Sequence, residues 1–135
     1  MLQHQESKDP VDPKLDEIAK AIVNAAIEVH RELGPGLLEQ VYEVCLFREL
    51  TRMGIRVERQ KQIPIAYKDE MLDANLRIDL LVEDEVIVEI KAVEMTLPVH
   101  QAQVLTYMKL AKKRLGMLMN FNVGVMNRGI KRLVL

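Results

Sequence analysis

A chain of 135 residues, 49% hydrophobic and 29% charged, has the length of one domain and the composition of a globular one. No apolar run approaches the roughly 20 residues that cross a bilayer, and the polar opening MLQHQESKDPVDP lacks a secretory signal's apolar stretch, so the expected location is the cytoplasm, without membrane contact. The formal net charge is −1, yet all 20 acids lie in residues 1–94, while residues 95–135 hold seven bases (Lys109, Lys112, Lys113, Arg114, Arg128, Lys131 and Arg132) and no acid. That split predicts a basic face able to follow phosphates, although Lys112, Lys113 and Arg114 serve equally well to complement a helix C-terminus.

Residues 1–11, with His4, read as a disordered tail, and 12–135 as a single domain. Asp12 caps a helix with Pro13 at its first position. Leu15, Ile18, Ile22, Ala25, Val29 and Leu33 recur at spacings of three and four and form its buried stripe, which Gly34 ends. Pro35-Gly36 turns the chain into a second helix with an apolar face of Leu38, Val41, Tyr42, Cys45, Leu46, Leu50 and Met53, closed by Gly54. Cys45, the one cysteine, excludes an internal disulfide and reads as core.

From Ile55 the period changes to that of strands. Ile55 and Val57 alternate with charges, Ile63–Tyr67 follows, and Pro64 places that strand at an edge or on a bulge. After the turn Lys68-Asp69-Glu70, Leu76–Val82 and Val86–Lys91 flank Glu83-Asp84-Glu85 as a hairpin at the centre of the sheet. Pro98 begins a helix reaching to about Arg114, and Met117–Phe121 forms a last strand. The order predicts an α/β fold.

Charged residues stand in a hairpin otherwise apolar enough to be buried. Alternation puts Glu89 and Lys91 on one face. If residues 83–85 form a three-residue loop, Val82 pairs with Val86 and Asp79 lies opposite Glu89; a two-residue loop turns Asp79 to the other face. Two carboxylates about 5 Å apart at Cβ repel unless a proton or a hard divalent cation intervenes. A satisfied salt-bridge network is the competing explanation. Gln103 and Tyr107, at i and i+4, share a helix face and can reach the cluster. Gly36, Glu39 and Tyr42 recur at spacings of three, with Glu39 beside the core stripe and in need of a partner. His30 and His100 are lone helical histidines.

Gly36-Leu-Leu-Glu39-Gln-Val-Tyr42, with Asp79, Glu89-Ile90-Lys91 and Gln103 followed by Tyr107, resembles the GxxExxY protein family, assigned to the PD-(D/E)XK nuclease superfamily, from about Ile18 to Leu133. The same pattern is similar to the superfamily's RecB-type and lambda-exonuclease-type branch. The resemblance implies a restriction-endonuclease-like αβββαβ core, a mixed central sheet flanked by helices, preceded here by a helix pair. It further implies Mg²⁺, with Mn²⁺ as a substitute, held by Glu39, Asp79, Glu89 and the Ile90 carbonyl. Lys91 would complete the catalytic set, Gln103, Tyr107 and Tyr42 would position substrate, and His30 is a candidate supporting residue. The expected activity is hydrolysis of nucleic-acid phosphodiesters, DNA in preference to RNA, by a homodimer or a subunit of a larger assembly. A non-catalytic nucleic-acid- or partner-binding module that retains the fold is the alternative.

Overall fold

A computed structural model describes residues 11–135. Helix α1 (Pro13–Leu33) begins as the sequence predicts: the Asp12 carboxylate accepts from the Lys14 N–H at 2.9 Å, and Pro13 stands where a missing N–H leaves nothing unpaired. Val11, expected in the tail, packs against the core instead, and the rest of that tail lies outside the described residues.

Helix α2 (Glu39–Arg52) buries Tyr42, Glu43, Leu46 and Leu50. The expected stripe is therefore rotated. Leu38 and Met53 lie at the helix boundaries and are exposed, as is Val41, while the acid Glu43 occupies a core-facing position. Cys45 is partly buried against the core.

Five strands follow: β1 (Val57–Tyr67), β2 (Glu70–Val82), β3 (Val86–Lys91), β4 (Leu115–Asn120) and β5 (Ile130–Val134). They stand side by side in chain order, antiparallel throughout except for β3 and β4. That parallel pair requires a crossover, supplied by α3 (Pro98–Ala111). The run from α2 to β4 is thus an αβββαβ core in a mixed α/β sheet. Strand β1 lies at the edge, as Pro64 requires, and its pairing shifts register between Pro64 and Ala66. Strand β5 lacks a counterpart among the predicted elements, and β2 begins six residues before the predicted Leu76.

Two apolar layers hold the sheet. Helices α1 and α2 cover one face, packing Ile22, Tyr42 and Leu46 against Leu80, Val82, Val88 and Ile90. Helix α3 covers the other, with Val104 and Met108 on Ile78, Leu81, Ile87 and Leu118. Gly116 permits the close approach of α3: a Cβ there would lie 2.8 Å from Val104 Cγ1 and 2.7 Å from Met108 Sδ. Among the described residues no helix is long and apolar enough to cross a membrane.

Candidate active site

The hairpin has the register on which the acidic pair depends. Residues 83–85 form the loop, Val82 pairs with Val86, and pairing continues to Leu80 and Val88. Beyond that point side chains replace the ladder. The Asp79 N–H donates to Glu89 Oε2 at 3.1 Å, and the Ile90 N–H donates to Asp79 Oδ2 at 2.9 Å. Each acid thus has one oxygen tied to the other strand's backbone. Glu89 Oε1 accepts no hydrogen bond from the described residues, and Asp79 Oδ1 is approached only by Gln60, at 3.5 Å.

The alternation of β2 breaks at Asp79. Ile78 packs under α3, while Leu80, two residues on, packs under α1 and α2. The same break occurs across the ladder in β1, where Val57 joins the α1–α2 layer but Ile63 and Ile65 join the α3 layer. Between them Gln60 has φ +54°, a left-handed conformation rare for a non-glycine residue within a strand. This paired kink lies between the regular pairs Arg59–Leu80 and Lys61–Ile78.

Burial pushes Glu89 up to about 8, with the Asp79 charge adding to the effect and its backbone hydrogen bond and Lys91 opposing it. Asp79 is raised as well, first by burial and then by Glu43 and Glu39, against the Ile90 N–H and Lys91. Both acids therefore resist ionisation unless a cation joins them. Lys91, partly buried, lines an open depression of about 570 Å³ with Val99, His100, Gln103 and Tyr107. The predicted helix-face pair is present there: Gln103 Nε2 donates to the Tyr107 hydroxyl at 2.9 Å. His100 caps α3, its Nδ1 accepting from the Leu97 N–H.

Three expected residues stand differently. Glu39 is exposed at the start of α2, where the helix's free N–H groups favour a carboxylate, and reaches the cluster through its effect on Asp79 rather than by burial. Tyr42 does not face the depression: it is fully buried, its ring stacks on Phe121 at 4.6 Å, and its hydroxyl donates to the Gly34 carbonyl while accepting from the Leu37 N–H. Its role is to hold the loop between α1 and α2. His30 Nε2 lies 2.7 Å from the Val123 carbonyl oxygen and ties α1 to the loop after β4, not to the acids.

Sequence reasoning missed Glu43, Gln60 and Arg59. Glu43 is 6% exposed and accepts from Gln60 Nε2 at 2.8 and 2.9 Å and from Arg59 Nε at 3.0 Å. Its spacing to Leu46 and Leu50, three and seven residues on, was the available signal.

Two of the seven bases behind the expected basic face form internal ion pairs. Arg132 pairs with Asp16 and Lys113 with Asp84, so bases of the last third neutralise acids of the first two thirds. Lys112 serves as the left-handed C-cap of α3.

A buried acid, a partly buried acid and a lysine on the central hairpin of a mixed sheet agree with the family comparison, in which a model of the PD-(D/E)XK nuclease superfamily matches residues 16–133. The chain belongs to that superfamily. Its members are generally hydrolytic nucleases that act on nucleic acids and typically use divalent metal ions. No curated protein matches the chain.

The acids fit such an ion. Among the described residues no three of His, Cys, Asp and Glu form a ready-made cage. Mg²⁺ does not require one, because it commonly binds through one or two carboxylates and keeps several waters. Asp79 and Glu89 offer hard oxygen donors, each anchored through one oxygen.

Proposed function

We propose that this protein hydrolyses nucleic-acid phosphodiester bonds with the aid of Mg²⁺, replaceable by Mn²⁺, and that DNA is its substrate in preference to RNA. The observation that carries this reading is the crossed anchoring of Asp79 and Glu89, which holds a buried and a partly buried carboxylate together where the Lys91 charge acts on both. Asp79, Glu89 and the Ile90 carbonyl would hold the ion, with Glu39 approaching from the rim. When bound, the ion supplies a Lewis acid for the phosphate and activates the attacking water. Lys91 places a positive charge where the phosphoryl group gains negative charge. Gln103 and Tyr107, joined to each other, orient the strand in the depression beside Lys91. The motif order supports placement in the GxxExxY family and near the RecB-type branch, as a single cytoplasmic domain.

A second reading, a binding subunit acting in an oligomer or a larger assembly, is favoured by the lining of the depression. Lys91 is the one lysine or arginine among its lining residues, which provides few contacts to a phosphate backbone.

The test is nucleotide release from labelled single- and double-stranded DNA and RNA with Mg²⁺, Mn²⁺ or chelator, comparing the protein with Asp79→Ala and Lys91→Ala. Metal-dependent cleavage abolished in both variants supports the nuclease. Absence of cleavage together with metal-dependent thermal stabilisation selects the binding subunit.

A further inference from the structure

Gln60 stands in the middle of β1 with a left-handed backbone, which breaks the strand's alternation and turns its amide toward α2. One Nε2 group there donates to both oxygens of Glu43, at 2.8 and 2.9 Å, and lies 3.5 Å from Asp79 Oδ1. It thus spans an acid of α2 and an acid of β2. With Arg59 on its other side, Glu43 has its charge met wholly by protein groups. Glu39, one turn earlier on α2, is exposed and its side chain has no hydrogen bond or ion pair among the described residues.

We propose that Gln60 is a positioning residue that holds Glu43 out of the cation's ligand set, and so sets the affinity of the site for Mg²⁺. The proposal rests on the reading of Asp79 and Glu89 as the residues that hold the ion. A neutral amide donor satisfies Glu43 without bringing charge to the cluster. Without that amide, the buried Glu43 carboxylate keeps one of its three hydrogen bonds, from Arg59, and its charge stands less fully met beside Asp79. A divalent cation between Asp79 and Glu89 then meets a nearby negative charge that the amide offsets in the wild type. Gln60 therefore weakens the resting affinity and keeps α2's contribution to Glu39.

The test is Mg²⁺ binding by titration calorimetry on the full chain, with no nucleic acid present. Gln60→Leu keeps most of the bulk and removes the donor, and should bind Mg²⁺ about tenfold more tightly. Gln60→Met serves in its place should the leucine variant fail to fold. The gain must depend on Glu43, so Gln60→Leu combined with Glu43→Gln should return to within about twofold of the wild-type Kd. Unchanged or weaker binding in Gln60→Leu, or tightening that persists in the double variant, overturns the role of Gln60 and leaves the metal site standing. A wild type that binds no Mg²⁺ overturns the metal site itself and the proposal with it.

Discussion

Glu89→Gln is the perturbation that most directly examines the buried acids. Wild-type Glu89 is held at about 8 against an ordinary value of 4.5. At about 1.4 kcal/mol per pH unit that difference amounts to at most about 5 kcal/mol. The folded state retains a proton that the unfolded chain releases. Stability from this source is therefore complete below pH 4.5, falls as pH rises, and is gone above pH 8. Glutamine can still accept the Asp79 N–H but cannot ionise. In chelator, the stability of Glu89→Gln relative to wild type should rise by about 4 kcal/mol between pH 5 and pH 9, or on the order of 12 to 15 °C in Tm for a chain of this size. Urea unfolding at the two pH values measures the difference; titrating groups remote from the site cancel in the comparison, whereas Asp79, which interacts with Glu89, responds to the substitution in the same direction of reduced repulsion. Mg²⁺ at 100 times its Kd should restore about 2.7 kcal/mol to wild type at pH 8 and little to the variant. A gap between the two proteins that does not change with pH would refute the claim that Glu89 is desolvated and held against ionisation.

Lys91→Ala should lower kcat by about 10² to 10³-fold in a single-turnover cleavage assay while the Mg²⁺ affinity changes far less, because the lysine acts on the phosphate. Tyr42→Phe removes both hydroxyl bonds, to Gly34 and Leu37, and should cost about 1 to 3 kcal/mol in urea unfolding with kcat unchanged under conditions where the variant is folded. Gly116→Val drives a side chain into Val104 and Met108. It should destabilise by about 1 to 3 kcal/mol and, by lifting α3, raise KM through Gln103 and Tyr107, read from unfolding curves and steady-state kinetics.

Local physics was legible. The Asp12 cap, the Pro13 start and the edge position of the Pro64 strand follow from groups that act within a few residues of themselves. The hairpin register was legible only as two alternatives, a three-residue and a two-residue loop, and the observed pairing of Val82 with Val86 selects the one that brings Asp79 to Glu89. Glu89, Lys91, Gln103 and Tyr107 could be singled out from strand alternation and helical spacing, Asp79 only on condition of that register, and their roles from the family resemblance.

What the sequence determined by itself was the αβββαβ order and the candidate residues on its central hairpin and third helix. Only the tertiary structure decided which acid of α2 lies inside, Glu43 rather than Glu39, because the rotation of a helix is set by the sheet beneath it. It also turned Tyr42 to the loop at Gly34 and paired Arg132 with Asp16, residues 116 positions apart. The kink at Gln60 and Asp79 was likewise invisible: it exists because two strands break alternation together, and neither strand's own pattern records what its neighbour does.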